Sequence, residues 1–443
     1  MQEALNFLNK IISFESISTY SKKEREIFAL VKFLKNFLER EKFKVKIVGK
    51  KCPLFIAEKF VSSKSKTIGI YSHYDVQPAE PLNLWHSDPF NLTIKNGKIF
   101  ARGVADNKGP LTQNIFSILN LVKENKLKNN IIFLFEGEEE IGSRNFSFYL
   151  NQALSIFKNV DLFFLTDVGM VKKNVPTIYY ALRGIVYFEV EVWTGKKDLH
   201  SGVYGNLVYN PSQILCEIFA KMKDLKGKIK IPDFYKRVRR ISDKEKKDLI
   251  KNVKNANEIK KIAEVYTLNP LDKKYSLISA KIYPSLEING FYSGYIGEGS
   301  KTIIPNYAKA KFSIRLVEYQ KPKEIIDLVK KFIKNNMPKG IKYSLKVLVN
   351  AKPFFSDFNH PYIIKTAKVL EEEFKNKCVF MREGGSIPSA EILMNKFKKP
   401  VILTGFILEG SNIHAPNENM DLDLFEKGIL VLSKIYRFLI TFK

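Results

Sequence analysis

Short apolar runs, each closed by a polar or ionisable residue, mark the first 180 residues of the chain. TIGIYS (67–72), NIIFLF (130–135) and VDLFFLT (160–166) are continuous rather than alternating, the pattern of strands buried on both faces. PVILTGF (400–406) is of the same kind. Between the first two lies GPLTQNIFSILNLVKEN, whose apolar spacing predicts a helix with Pro110 in its first turn, where no N–H donor is needed. Ser21-Lys22-Lys23-Glu24 has the form of a capping box and predicts an amphipathic helix to about Lys42. Helical periodicity also marks the opening MQEALNFLNKIISFESIS and a closing segment from about Leu422 to Phe442. Strands alternating with helices predict an α/β unit built on a mostly parallel sheet.

From Tyr187 the period changes. The strand patterns YFEVEVWTG, SLEINGFYS, AKAKFSIRLVEY and YSLKVLVN alternate, and the helical patterns PSQILCEIFAKMKDL and PKEIIDLVKKFIKN fall among them in the order βαββαβ. That order predicts a small sandwich with one open sheet face, suited to pairing with a second copy. A Lys-rich, mostly helical insertion near 226–275 interrupts it. The expected organisation is a catalytic domain from 1–183 and 350–443, with a lid and dimerisation domain at 184–349 inserted through short junctions. A length of 443 residues suits two or three domains.

The net charge of +27 raises the question of a polyanionic partner. The basic residues are mostly lysines scattered along the whole chain, with no arginine stripe interleaved with aromatics. The densest patch, KRVRRISDKEKKDLIK (236–251), contains acids and reads as a solvated helix. Neither nucleic acid nor membrane is therefore expected as a partner. The opening segment has no basic n-region or small-residue cleavage site, and GILVLSKIYRFLITF near the end is broken by Lys434 and Arg437 and is too short to span a bilayer. Cys52, Cys216 and Cys378 form no CxxC pair, which predicts buried thiols in a reducing cytoplasm.

Ligands of open α/β sheets bind beyond the carboxyl ends of the strands. His73 follows TIGIYS, the acids of FEGEEEIGS (135–143) follow NIIFLF, Asp167 closes VDLFFLT, and His414 lies after PVILTGF. Asp106, in ARGVADNKG (101–109), precedes a helix at the same edge. Each has a structural reading of its own: Asp106 as an N-cap, Asp167 as a turn residue, the acids as a solvated helix start. Their convergence favours a pair of divalent metals with one shared carboxylate. Three consecutive acids leave two frames open for a general base, Glu138 or Glu139.

HYDVQP, ARGVADNKG, FEGEEEIGS, LTDVG, DLHSGVYGN (198–206), REGGSIPSAEIL (382–393) and GSNIHAPNE (410–418) together resemble the co-catalytic zinc aminoacylase and carboxypeptidase family, most of all its cytosolic non-specific dipeptidase and carnosinase branch. The resemblance implies that Asp106 bridges two ions, that His73 and Asp167 complete one site, and that Glu140 and His414 complete the other. It selects Glu139 as the base, places Asp75 behind His73, and implies a cis peptide between Asp106 and Asn107. His200 would reach a partner subunit's site to steady developing negative charge. Thr302 and Arg315 would lie near the substrate, and Gly384, Gly385 and Ser386 would receive its carboxylate, with His414 also facing it. His360 falls in a family-like segment, while His86 reads as a surface residue.

The implied protein is a homodimeric, cytoplasmic, metal-dependent dipeptidase acting on free dipeptides. It would hold two divalent ions, Zn2+ first, with Mn2+ sharing the same ligands. The rivals are a deacylase of N-acyl amino acids (acetylornithine or succinyl-diaminopimelate type), a C-terminal metallocarboxypeptidase, and a non-catalytic basic binding protein on a hydrolase scaffold.

Overall fold

In the computed structural model, which describes residues 1–269 and 274–438, the continuous apolar runs become the centre of one sheet. Thr67–His73, Asn130–Glu136, Leu162–Leu165 and Val401–Thr404 are buried at every position, which is why they show no alternation. They pair in parallel, with Thr67–His73 between Asn130–Glu136 and Leu162–Leu165, and Val401–Thr404 beyond Leu162–Leu165. Antiparallel strands extend this centre, Leu54–Lys59 and Lys44–Val48 on one side and Thr177–Leu182 on the other. The helix Lys108–Lys123 packs on the sheet, and against it pack the helices Gln2–Ile12 and Leu422–Phe438. Pro110 sits in the first turn of Lys108–Lys123, as its sequence requires.

Two local expectations change. The segment Ser21–Lys23 is a 3-10 turn leading into the helix Glu24–Arg40, with no side-chain cap. The i→i+3 bond from Glu24 N–H to the Ser21 carbonyl fills the role that a capping hydroxyl would have served. Cys52 is buried, but Cys216 is exposed on the outer side of its helix, so the thiols are not all interior. The expected extension of the last helix to Phe442 lies outside the described residues.

Contacts divide the chain into two units. The first comprises Met1–Tyr180, Ser356–Met381 and Ile387–Lys443; the second comprises Ala181–Phe355 with Arg382–Ser386. In the second unit the strands Ser285–Ser293, Tyr307–Leu316, Gly184–Trp193 and Lys342–Ala351 form an antiparallel sheet in that order. Alternation along Gly184–Trp193 buries Val186, Phe188, Val190 and Val192 with residues of the helices Pro211–Met222 and Pro322–Asn336. The opposite positions carry cross-strand charge pairs such as Lys309–Glu189 at 2.7 Å. The Lys-rich insertion contains the short helices Asp243–Ile250 and Ala256–Ala263. Its stretch 236–251 is not wholly solvated: Arg239 and Glu245 turn inward to ion-pair with each other and with Glu318 and Arg382. No helix among the described residues is long and apolar enough to cross a membrane.

Candidate metal centre

Five ionisable side chains of the first unit meet beyond the carboxyl ends of its parallel strands. Asp106 is the hub, and each of its oxygens takes a different histidine: Oδ1 lies 2.9 Å from His73 Nε2, and Oδ2 lies 2.9 Å from His414 Nε2. His73 Nε2 is also 3.5 Å from Asp167 Oδ1, and His414 Nε2 is 3.2 Å from Glu140 Oε2. Two ligand sets result, His73–Asp106–Asp167 and Asp106–Glu140–His414, each with its ligand atoms within 4.8 Å of one another. Asp106 does not cap the following helix; the cap position is Asn107, and the bond between these two residues is cis.

The residues around this cluster hold it in place. Asp75 is fully buried and accepts the backbone N–H groups of Glu139 and Glu140 at 3.3 and 3.1 Å, while His73 Nδ1 faces the Asp75 carbonyl at 3.0 Å. One side chain thus ties the first strand end to the second. Glu138 uses both oxygens on Asn145, at 2.8 Å to its N–H and 2.8 Å to its amide. It is committed to the turn, which leaves Glu139 and Glu140 at the cluster. His414 has a φ of 64°, a left-handed conformation that most side chains avoid.

Four further residues belong to the arrangement and were not singled out by sequence. Buried Glu418 accepts from Arg102 at 2.8 Å and from the backbone N–H groups of Gly103, Ala105 and Asp106 at 2.9, 2.8 and 3.0 Å, fixing the loop that presents Asp106. Asn107 donates to Asp167 at 2.7 Å and Gln77 to Glu140 at 2.8 Å. Asn114 links Ser72 and Thr166, the residues just before His73 and Asp167. Three of the four lie inside the quoted segments HYDVQP, ARGVADNKG and GSNIHAPNE, so their position was visible although their role was not.

Burial alone would lower His73, but Asp167, Asp106 and Asp75 outweigh it and raise His73 well above its ordinary range. His414 is pushed up to about 10 by hydrogen bonds to Asp106 and Glu140. Burial opposes ionisation of Asp106, yet the two histidines hold it below the usual carboxylate range. Glu139 is raised well above that range by burial, with His73 opposing and Asp167, Asp106 and Glu140 adding to it. Glu140 is likewise raised by burial, and its buried Oε1 has no hydrogen-bond partner. The carboxylates of the cluster therefore favour positive charge among them. A mixed histidine–carboxylate set with an unpartnered buried oxygen fits two divalent cations that share Asp106.

Comparison with known proteins identifies the family. Residues 69–437 match the family model of Peptidase family M20/M25/M40. The chain belongs to that family. It is 31% identical over 385 residues to the Cys-Gly metallodipeptidase dug1 of Schizosaccharomyces pombe, covering 85% of this chain and 80% of the relative. It is 29% identical to the probable di- and tripeptidase DUG2 of Saccharomyces cerevisiae; 98% of this chain is covered, and the chain spans half the length of that relative. The crystal structure of an M20 family metallo-carboxypeptidase from Sulfolobus solfataricus superposes with a TM-score of 0.88 at 31% identity, covering 99% of each chain.

The remaining expected site residues lie in the second unit, in two groups. His200 and Thr302 are neighbours: the short strand Leu199–His200 pairs with Ile303–Ile304, which follows Thr302, and Ser201 N–H donates to the Thr302 carbonyl at 3.0 Å. Both are exposed, and His200 Nδ1 accepts from Gly202 N–H at 3.0 Å. The second group is Arg315 with Gly384, Gly385 and Ser386, where Arg315 Nη1 donates to Ser386 Oγ at 3.0 Å. Arg183, not singled out by sequence, joins it through Nε to the Gly384 carbonyl at 3.0 Å. Arg183 is pushed down to about 10 by burial and by the neighbouring Arg315 charge. Two partly desolvated guanidinium groups beside a glycine turn favour an anion here, opposed by the carboxylate of Glu383, which accepts from Gly384 N–H. His360 caps the helix Pro361–Phe374 by accepting from Tyr362 N–H at 3.3 Å, and His86 is exposed.

Proposed function

We propose that this chain is a metal-dependent dipeptidase that cleaves the peptide bond of free dipeptides, working as a homodimer in the cytoplasm. The observation that carries the reading is the pair of three-ligand sets sharing Asp106, with Glu139 beside them. His73, Asp106 and Asp167 would hold one ion and Asp106, Glu140 and His414 the other, as Zn2+ or, on the same ligands, Mn2+. Two such ions, when bound, make a water acidic enough to ionise near neutral pH and polarise the scissile carbonyl. Glu139 takes the proton of the attacking water and hands it to the leaving amine, a task suited to a carboxyl whose proton affinity burial has raised. Asp75 keeps His73 and the Glu139–Glu140 backbone in register.

The Gly384–Ser386 turn, with Arg315, takes the substrate's C-terminal carboxylate, and Thr302 lies along the substrate. His200 steadies the oxygen on which negative charge develops, acting across the dimer. Its exposure in the single chain supports that role, as does its loop, in which Val203, Leu207 and Tyr209 are exposed apolar residues. The dipeptidase names of the yeast relatives point the same way.

A second reading, a carboxypeptidase that removes the last residue of longer peptides, is favoured by the Sulfolobus solfataricus structure. Both readings use the same metals and base, and a dipeptide offered beside a tripeptide separates them. The test of the chemistry is Glu139→Gln in metal-loaded protein. Turnover should vanish while both ions stay bound, whereas turnover close to that of the unmodified chain would remove Glu139 from the mechanism.

A further inference from the structure

The Lys-rich insertion has no role in the chemistry above, yet two of its side chains enter the most buried ion cluster of the second unit. Arg239 Nε donates to Glu318 Oε1 at 2.8 Å, and Arg382 Nη1 donates to the same oxygen at 2.7 Å. Arg382 Nη1 lies 3.4 Å from Glu245 Oε1, which also accepts from Arg239. The four residues close a ring of alternating charge. The side chains of Arg382 and Glu318 are each 2% exposed, those of Glu245 and Arg239 13% and 20%.

Arg382 is held on every edge of its guanidinium. A second bond runs from Nη2 to Glu318, and Nε donates to the Lys281 carbonyl at 3.1 Å. Two residues further on, the chain enters the Gly384–Ser386 turn. On its other side a single residue, Arg183, grips that turn: its N–H donates to the Gly385 carbonyl at 3.1 Å, its side chain to the Gly384 carbonyl, and its own carbonyl accepts from Ser386 Oγ. A turn rich in glycine has many conformations to lose. The ring and Arg183 fix it at both ends.

We propose that the insertion is a positioning element: Arg239 and Glu245, through their ring with Glu318 and Arg382, set the Gly384–Ser386 turn and with it the affinity for the substrate's carboxylate. The second half of this statement rests on the reading of the turn given under Proposed function. A buried ion ring adds little to stability relative to an apolar core of the same shape, but it fixes orientation, and removing one member leaves a charge uncompensated. The Gly384 N–H donates to Glu383 and Ser386 Oγ to the Arg183 carbonyl, so an anion here would be met by Arg183 and Arg315, whose placement on the turn needs such fixing.

The test uses the metal-loaded full chain and its Glu245→Gln variant, with two readouts. Amide hydrogen exchange over residues 382–388 should rise about ten-fold in the variant, while exchange over 130–140 in the first unit stays unchanged. KM for a free dipeptide should rise roughly ten-fold with kcat little altered. Unchanged exchange over 382–388 overturns the positioning role, whatever KM does. Raised exchange with an unchanged KM keeps the positioning role and overturns the carboxylate reading of the turn. If Glu245→Gln does not fold, Arg239→Lys keeps the charge, loses the fork, and should show both changes at smaller size.

Discussion

The metal centre and the Gly384–Ser386 turn face opposite electrostatic problems. Around Asp106 the chain gathers carboxylates, which raise the proton affinity of His73 and His414. Around Ser386 it gathers guanidinium groups; burial lowers the proton affinity of both Arg183 and Arg315, and the Arg315 charge lowers that of Arg183 further. The first cluster suits cations and the second an anion. The first is assembled from strand ends of a buried sheet, the second from a glycine turn held by long side chains. Substitutions should therefore break them in different currencies, metal content and kcat for one, KM for the other.

The largest effect is expected at Asp106, the only residue common to both ligand sets. Asp106→Ala should reduce metal content, counted by atomic spectroscopy, from two ions per chain to below one and abolish turnover, whereas His414→Ala should keep one ion. Glu139→Gln comes next, with kcat falling by roughly 10²–10⁴ at unchanged metal content. Glu418→Gln sits between function and stability. It weakens four bonds to the Asp106 loop and leaves buried Arg102 without its anion, so denaturant unfolding should show a loss of about 3–5 kcal/mol.

Metal affinity should depend on pH with a definite sign. His414, raised from 6.5 to about 10, stabilises the metal-free fold fully below its unfolded value and loses that contribution as pH rises through about 10. Below that pH an incoming ion must displace its proton. Affinity should therefore rise with pH across roughly pH 6–9, by about ten-fold per unit for each proton released, and calorimetry in buffers of different ionisation heat should count those protons. A pH-independent affinity would contradict a raised His414. The smallest effect is expected at Ser386→Ala, with KM raised about ten-fold or less and kcat nearly unchanged, the scale of one hydrogen bond to a charged group.

The two regions also differed in how far the sequence disclosed them. Burial on both faces makes the central strands continuous apolar runs, so His73 and Asp167 stand out as the first ionisable residues after TIGIYS and VDLFFLT. The split order of strands and helices in the second unit was legible for a similar reason, since one covered sheet face enforces alternation. What stayed hidden is what depends on distant partners. Glu418 meets Arg102 across 316 positions and Arg382 meets Glu245 across 137, and nothing local in either segment signals the pairing. Arg239 and Glu245 sit in a stretch so rich in charge that a solvated helix was the natural reading, until the ring shows them facing inward. The Ser21 capping box had the right letters, but a 3-10 turn met the same need through the backbone.

The most direct measurement is hydrolysis of one dipeptide by metal-loaded protein in three forms: free, N-acetylated and C-amidated. Cleavage of the free form, with the amidated form poor and the acetyl group left in place, is the result expected of a carboxyl-reading dipeptidase. Equal cleavage of the free and amidated forms, or release of acetate from the acetylated one, would contradict it.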